Sequence, residues 1–305
     1  MSLIEKAVER LGQLKQAGQE APVITPAPTP VEAVPTSVER SRVEIHAKEA
    51  EPVSRAVTID LERLAHMGFV TPDQQRAAIA EEYRVIKRPL LRNASAVRGT
   101  SRVANGNLIM VTSALPGEGK SFTALNLAMS MAMELDHSVL LVDADVSKPS
   151  ILKQMGLPPE RGLMDVLVDA KLDLPDVILR TNIEKLRILP AGTATPRATE
   201  LLASEGMNRL LDEMASRYAD RIIVFDSPPL LVTTESRALA THMGQIVVVV
   251  EAERTTHSAL KQALATIESC PIKMMLLNKS TVHGPGGYYG YGYGYGQESE
   301  DDKAA

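Results

Sequence analysis

The segment "ALPGEGKS", residues 114 to 121, places two glycines, a lysine and a serine at the spacing of a phosphate-binding loop. It matches the pattern G-x-x-x-x-G-K-[ST] except that Ala114 stands at the first glycine. Gly117 and Gly119 permit the backbone conformations that turn N–H groups inward around phosphate oxygens. Lys120 brings a positive charge to the β and γ phosphates, and Ser121 offers a hydroxyl to Mg²⁺. The segment therefore predicts a site for ATP and Mg²⁺.

We expect the nucleotide to contact residues on and beside this loop. The helix that begins near Lys120 directs its positive end at the phosphates. Asn278 ends the apolar run "IKMMLLN", where related P-loop proteins often use an asparagine to bind the base. A strand-end asparagine also forms turns, so both roles stay open. The predicted nucleotide-binding residues are Ala114, Pro116, Gly117, Glu118, Gly119, Lys120, Ser121, Phe122 and Asn278.

Three aspartates follow two other apolar runs. "SVLLVDADVSKPS" contains Asp143 and Asp145, and "RIIVFDSPP" contains Asp226. Carboxylates at the ends of strands beside a phosphate loop can hold Mg²⁺ directly or through water. We therefore expect Ser121, Asp143 and Asp226 to bind the metal. The alternative is that these aspartates only cap the helices that follow them.

The elements that would position these side chains alternate along the chain. Short apolar runs recur at "NLIMVTS", "SVLLVDAD", "KLRILPAG", "RIIVFDSPP", "QIVVVVEAE" and "IKMMLLN", with helical patterns between most of them, such as "SFTALNLAMSMAMELD". Near-continuous apolar strands joined by helices are typical of a parallel sheet covered on both faces. The sequence predicts a doubly wound, mostly parallel α/β domain of the P-loop NTPase class, with the ligand at the carboxyl ends of its strands.

Composition divides the chain into four segments. Residues 1–20 predict an amphipathic helix, and residues 21–71 predict a linker, first proline-rich and then charged. Residues 72–283 hold the alternating pattern of the α/β domain. Residues 284–305 form a tail rich in glycine and tyrosine, with phenols at Tyr288, Tyr289, Tyr291, Tyr293 and Tyr295. Both end segments are expected to be flexible.

The combination of motifs resembles the bacterial tyrosine kinase (BY-kinase) family, the tyrosine autokinases of polysaccharide biosynthesis. "ALPGEGKS" resembles the Walker A motif of that family, "LLVDAD" its A′ motif and "IIVFDSPP" its Walker B motif. "LPAGTATPRATELLAS" is similar to its segment between the A′ and B motifs. "EEYRVIKR" resembles its E-x-x-R-x-x-R oligomerisation helix, with Glu81, Arg84 and Lys87 at the three positions. The tyrosine-rich tail completes the pattern.

This resemblance implies ATP-dependent autophosphorylation of the tail tyrosines in trans, within a ring-like homo-oligomer. The residues themselves predict catalytic roles for Lys120, Asp143 and Asp145. A phenol with a pKa near 10 needs a carboxylate to orient or take its proton, and we expect Asp145 to do so. The implied partners are an integral-membrane chain-length or co-polymerase protein that activates the kinase and a tyrosine phosphatase that resets it. The chain looks like a stand-alone cytoplasmic kinase at the inner face of the plasma membrane. The N-terminal helix and linker resemble those of exosortase-associated members.

Two positions depart from the family pattern. The A′ motif usually carries an arginine soon after its second aspartate, and here Ser147 and Lys148 occupy that neighbourhood. Lysine keeps the charge but lacks the planar set of donors. Lys87 likewise replaces the third arginine of the oligomerisation helix, with Arg88 next to it as a possible substitute.

The tail itself cannot form a hydrophobic core. Alternating glycine and tyrosine offers few apolar side chains and a large backbone entropy to lose on folding. Mobile phenols can reach another subunit, which is what an acceptor segment requires. The alternative is a low-complexity tail that only self-associates.

Two other functions compete with the kinase. A partition or site-selection ATPase of the same fold would carry a lysine where this chain has Leu115 and a glycine where it has Pro116. A scaffold with a decayed ATP site would not need the intact phosphate loop and aspartates.

Composition excludes several other classes of function. The net charge of -5 gives no basic face for a nucleic acid, and no apolar run approaches the roughly 20 residues of a membrane span. The single Cys270 cannot form an internal disulfide, and the six histidines show no zinc-ligand spacing.

Overall fold

The computed structural model describes residues 55–95, 103–218 and 221–281. The predicted N-terminal helix, most of the predicted linker and all five tail tyrosines lie outside these residues. No helix within the described ranges is both long enough and apolar enough to span a bilayer.

A seven-stranded sheet forms the centre of the domain, in the order β3-β4-β2-β5-β1-β6-β7. All neighbouring strands are parallel except the pair β3 and β4, which is antiparallel. Six strands coincide with the six apolar runs of the sequence. The strands are β1 Leu108–Ser113, β2 Ser138–Asp143, β3 Leu179–Arg180, β4 Leu186–Leu189, β5 Arg221–Asp226, β6 Gln245–Glu251 and β7 Ile272–Asn278. The doubly wound, mostly parallel fold is confirmed.

Ten α-helices of the described residues connect or flank these strands. They are α1 Leu61–His66, α2 Ala78–Ala94, α3 Lys120–Ala132, α4 Ile151–Met155, α5 Leu163–Val168, α6 Leu174–Val177, α7 Ala198–Leu202, α8 Glu205–Arg217, α9 Glu235–Ala240 and α10 His257–Ala265. A 3-10 turn covers Pro72–Gln74. The long helical pattern after β4 divides into α7 and α8 because Ser204 caps α8, its side chain accepting from the N–H of Met207.

Both faces of the sheet are buried, as continuous apolar strands require. In β1, Leu108 and Met110 pack into the core on one face, with helices α5 to α9. Ile109 and Val111 pack into the core on the other face, with α2 and α3. This alternation follows from the two-residue period of a strand. The sheet is therefore a rigid platform whose carboxyl edge carries the site.

The predicted domain start at residue 72 is wrong, because residues 55–71 already belong to the folded domain. Ile59, Leu64 and Val70 have at most 2% of their surface exposed and join the core against α2 and α3. Ala56 forms a parallel bridge with Arg180, which extends the sheet beyond β3. The sequence did not predict the amphipathic helix α1 in this segment. With six residues among mixed charges, α1 is too short to show a clear helical period of apolar residues.

Candidate active site

The phosphate loop lies between β1 and α3 and has the backbone that its glycines predict. Gly117 and Gly119 adopt φ angles of 88° and 99°, which disfavour any residue with a Cβ atom. A Cβ on Gly119 would also lie 2.0 Å from Nδ2 of Asn278. Ala114 has no positive φ, so alanine at the first motif position introduces no backbone strain.

Carboxylates from two neighbouring strands meet beside the loop. Asp143 and Asp226 end β2 and β5 and stand directly opposite each other in the parallel register. Nζ of Lys120 lies 2.6 Å from Oδ2 of Asp145 and 3.7 Å from Oδ1 of Asp226. All three aspartates are at most 4% exposed. The structure thus brings together every acidic residue that the sequence placed at the site.

Burial and mutual repulsion perturb the pKa values of these groups. Burial, reinforced by the nearby Asp226, raises the pKa of Asp143 to about 7. Burial raises the pKa of Asp226 to about 6, although Lys120 and Ser121 lower it. Burial lowers the pKa of Lys120, but the surrounding carboxylates outweigh that effect and raise it overall. Such a cluster of perturbed groups in one cleft is typical of a functional site.

Several carboxylate oxygens in this cluster lack a hydrogen-bond partner. Oδ2 of Asp143 accepts from the N–H groups of Ser150 and Ile151, both at 3.0 Å, whereas its Oδ1 accepts none. Neither oxygen of Asp226 accepts a hydrogen bond of normal geometry from the described residues. Buried oxygens of this kind are costly unless a cation or donor satisfies them.

These residues fit a magnesium ion that is bound together with phosphates. Mg²⁺ prefers oxygen ligands and often takes only one or two carboxylates from the protein. Among the described residues no group of three or more His, Cys, Asp or Glu could hold a metal ion. Asp143, Asp226 and the hydroxyl of Ser121 are the groups that would hold it.

Glu118 was predicted as a nucleotide-binding residue, but the sequence did not indicate that its side chain bonds within the protein and stabilises the loop. This side chain is 2% exposed and accepts from the N–H of Leu115 at 2.8 Å. The hydroxyl of Thr255, after β6, donates to its other oxygen. The motif leaves position 118 unspecified, and only the fold brings Thr255 to it.

Two residues at the end of β7 also contact the phosphate loop. Nδ2 of Asn278 donates to the carbonyl of Glu118 at 2.9 Å. Nζ of Lys279 donates to the carbonyl of Gly117 at 2.7 Å and pairs with Glu251 at 3.1 Å. Asn278 is therefore beside the loop, and its contact with the base stays a prediction. Lys279 was not predicted, because no motif marks it.

A cavity of about 430 Å³ opens in front of the loop. Pro116, Gly117, Gly119, Lys120, Ser121 and Phe122 line one side of it. The remaining lining residues come from the segments after β2 and β5 and include Asp145, Lys148, Pro228, Pro229 and Val232. The predicted catalytic Lys120 and Asp145 thus border the same space as the nucleotide loop.

The three predicted oligomerisation residues separate on α2. Glu81 and Arg84 form an ion pair on the outer side of the helix. Lys87 instead is 4% exposed and its Nζ donates to the carbonyl of Ser130 at 2.5 Å. Its Nζ also pairs with Glu134 at 2.7 Å. Lys87 therefore packs α2 against α3, whereas Arg88 is exposed.

The comparisons with known proteins agree with this geometry. Residues 106–280 match the AAA domain family. The chain is 33% identical over 186 residues to the tyrosine-protein kinase YwqD of Bacillus subtilis, covering 60% of this chain and 77% of YwqD. It is 31% identical over 236 residues to the succinoglycan biosynthesis transport protein ExoP of Rhizobium meliloti, covering 76% of this chain but 28% of ExoP.

A solved structure shows the same architecture. The kinase domain of the Escherichia coli tyrosine kinase ETK superimposes with a TM-score of 0.63 at 25% identity, covering 79% of this chain and 88% of that domain.

Fold and site together define an α/β P-loop enzyme of the AAA domain family, with a phosphate loop facing paired strand-end aspartates. Within that class the chain belongs to the bacterial tyrosine-protein kinases. The family and the kinase class expected from the sequence motifs are confirmed.

Proposed function

We propose that this chain transfers the γ-phosphoryl group of ATP to the tail tyrosines of a second copy and thereby regulates the chain length or export of an exopolysaccharide. The observation that carries the proposal is the placement of Lys120, Asp145 and Asp226 at the mouth of the phosphate loop. The five phenols from Tyr288 to Tyr295 supply acceptors in the same chain.

Binding of ATP requires Lys120 to exchange partners. Its ammonium lies 2.6 Å from Asp145 and 3.7 Å from Asp226. The β and γ phosphates offer the ammonium stronger acceptors, and the glycine N–H groups and the start of α3 surround them. Bound Mg²⁺ would neutralise phosphate charge next to Ser121, Asp143 and Asp226. The exchange frees the carboxylate of Asp145 for the acceptor.

The transfer then joins the phenol oxygen to the γ phosphorus while the bond to the bridging β–γ oxygen breaks. The products are ADP, a phosphotyrosine and one proton. A phenol with a pKa near 10 is a weak nucleophile at neutral pH. Asp145 lines the cavity and is the carboxylate that would accept a hydrogen bond, and then the proton, from that phenol. Positioning and charge neutralisation account for most of the catalysis.

The acceptor comes from a neighbouring copy in this proposal. The outward-facing Glu81 and Arg84 on α2 are the residues that would mediate ring-like assembly. Phosphorylation of all five tyrosines would add about -8 to -10 of charge at pH 7. Charge of that size, next to acidic sites, would expel the tails and loosen the assembly.

In this proposal a partner protein holds the kinase at the membrane. An integral-membrane co-polymerase protein would activate the kinase at the inner face of the plasma membrane, and a tyrosine phosphatase would reset it. ExoP supports this setting by its name as a polysaccharide transport protein, since it contains a region similar to this chain.

A partition or site-selection ATPase remains the second candidate. Leu115 stands at the position where that class carries a lysine, and it is 37% exposed. An uncharged side chain there cannot reach across a dimer to another nucleotide's phosphates.

Incubating the full chain with ATP and Mg²⁺ and blotting for phosphotyrosine tests the kinase. Lys120→Met and a variant with all five tail tyrosines changed to phenylalanine should both lose the signal. ATP hydrolysis without tyrosine labelling, in the presence of the membrane partner, would favour the ATPase. Mixing the two variants tests transfer in trans, because only an intermolecular reaction restores labelling.

Sedimentation of Arg84→Ala tests the assembly. We expect it to shift the chain toward monomers with an unchanged melting temperature, since Arg84 lies on the outer side of α2. An unchanged oligomeric distribution would argue against a role for this helix face.

A further inference from the structure

The cavity at the phosphate loop has two chemically different sides. Lys120 and Ser121 form the side that suits a polyphosphate. Pro228, Pro229 and Val232, in the segment after β5, line it on the other side. Val232 is 60% exposed, although most side chains of its size in this domain are buried. The triphosphate needs charge and N–H donors, and the predicted base contact, Asn278, ends β7, which lies on the opposite side of β1 from β5. The apolar surface after β5 is therefore open to a ligand other than ATP.

Hydrogen bonds hold this apolar wall in place. The hydroxyl of Thr112 in β1 donates to the carbonyl of Pro228 at 2.8 Å. The N–H of Leu230 donates to the carbonyl of Ser113 at 2.8 Å. The wall is therefore tied to the strand that leads into the phosphate loop. Its position relative to the phosphates is fixed before any acceptor arrives, which reduces the entropy lost on binding.

We propose that Pro228, Pro229 and Val232 form the binding surface for the ring of the acceptor tyrosine. This inference rests on the proposed function and adds the residues that select an aromatic acceptor. Proline and valine offer an apolar surface for the ring, while the hydroxyl points toward Asp145 and the phosphate end. Serine or threonine would leave the wall uncovered and would hold its hydroxyl closer to its own backbone.

The occupant is the segment of residues 284–305 from a second copy. That segment carries five tyrosines and then Glu298, Glu300, Asp301 and Asp302. Lys148 lines the cavity, is exposed, and forms no ion pair within the described ranges. Its charge complements the acidic end of the tail once a tyrosine ring lies on the wall.

Steady-state kinetics between two full-length variants test the proposal. The enzyme carries the five tail tyrosines as alanine, so that its own tail offers no ring to the wall, and the acceptor is the Lys120→Met chain with its native tail. Val232→Asn in the enzyme removes apolar surface without adding charge. We expect its apparent KM for the acceptor to rise about fivefold, with the apparent KM for ATP changing less than twofold. Val232→Leu should keep the acceptor KM within twofold of the parent enzyme.

Val168→Asn is the matched control, because Val168 is an exposed valine, at 66%, outside the cavity. It should leave both KM values unchanged. An unchanged acceptor KM in Val232→Asn, or equal rises for acceptor and ATP, would overturn the proposal. If the parent enzyme fails to label the acceptor even with the membrane partner present, the proposed function itself fails.

A crosslink gives an independent readout if Val232→Asn proves unstable. A photoreactive benzoylphenylalanine placed at position 232 should crosslink to residues 284–305 of the acceptor copy when a non-hydrolysable ATP analogue and Mg²⁺ are present. Crosslinks confined to other segments would contradict the placement of the tail.

Discussion

Asp143 and Asp226 oppose each other as two buried carboxylates, an arrangement that costs free energy when both are ionised. Both lie at the ends of adjacent strands, both are buried, and three of their four oxygens lack hydrogen-bond partners. The ammonium of Lys120, 3.7 Å from Oδ1 of Asp226, offsets part of the repulsion between the two carboxylates. The unsatisfied oxygens are therefore the groups that a metal-bound nucleotide would satisfy.

Asp143→Asn should stabilise the nucleotide-free protein at alkaline pH. The folded-state pKa of Asp143 is about 7, above the unfolded value of about 3.9. The protonated Asp143 therefore contributes to the free energy of unfolding in full below pH 4, and this contribution is lost as the pH rises through 7. The asparagine carries no charge, so the variant should melt at least about 2 °C higher than wild type at pH 8. Thermal unfolding at pH 5 and pH 8 measures the difference.

The same Asp143→Asn variant should also lose kinase activity, which a phosphotyrosine blot after incubation with ATP and Mg²⁺ measures. A variant that melts lower than wild type at pH 8 would show that the carboxylate of Asp143 is not a source of instability.

Glu118→Ala should weaken nucleotide binding about tenfold. Its side chain ties the phosphate loop to Thr255, and removing it leaves the partly buried N–H of Leu115 without this acceptor, a loss of about 1–3 kcal/mol. Titration with a fluorescent ATP analogue measures the affinity. Glu118→Gln, which keeps an acceptor oxygen, serves as the control and should bind more tightly than the alanine variant. Equal affinities for wild type and Glu118→Ala would refute this role.

Among the elements, the segment of residues 55–71 connects the sheet to the helix that holds Asp143. The side chain of Asn182, after β3, exchanges two hydrogen bonds with the backbone of Ile59. Arg55 pairs with Glu160 at 2.6 Å, and Arg63 in α1 donates to the carbonyl of Gln154 at 3.4 Å. Gln154 belongs to α4, whose first N–H groups hold Asp143. The segment thus supports the helix that positions Asp143, a residue proposed to be catalytic.

Leu64→Ala tests whether α1 is part of the domain. Leu64 is fully buried, so its truncation should lower the free energy of unfolding by about 2–5 kcal/mol. Met67→Ala next to it, at 47% exposure, should change stability by less than about 1 kcal/mol. Urea unfolding compares the two variants. If Leu64→Ala and Met67→Ala both changed the free energy of unfolding by less than about 1 kcal/mol, residue 72 would again be the better start of the domain.

At the scale of the whole chain, the seven tyrosines divide into two groups. Five lie in the tail, outside the described residues, while Tyr83 and Tyr218 are 4% and 8% exposed. Burial raises the pKa of Tyr83 to about 12, and its hydroxyl faces Thr123 and Asn126. Neither buried phenol can enter the active site of another copy without unfolding of its surroundings.

Mass spectrometry after incubation with ATP, Mg²⁺ and the membrane partner should therefore find phosphate on the tail tyrosines but not on Tyr83 or Tyr218. The tail variant with five phenylalanines is the control, and it should carry no phosphotyrosine at all. Substantial labelling of Tyr83 in a folded sample would contradict the assignment of the tail as acceptor.

The six apolar runs and the phosphate-loop motif were enough to predict six of the seven strands, the fold class and the position of the aspartates beside the phosphate loop. Parallel strands bring their carboxyl ends to one edge, so Asp143 and Asp226 had to meet there. The two-residue β3 escaped prediction, because a segment that short has no measurable period. The burial of Lys87 could not be predicted, because its sequence motif says nothing about which side of α2 is buried.

What the sequence determined by itself is local: glycines where the backbone turns around phosphates, carboxylates at strand ends, and phenols in a segment that cannot bury them. What only the tertiary structure decided is which distant groups complete the site. Thr255 and Lys279 reach the phosphate loop, and Val232 reaches the cavity, through the packing of separate strands and loops. Such contacts depend on how the whole sheet is assembled, and no spacing along the chain encodes them.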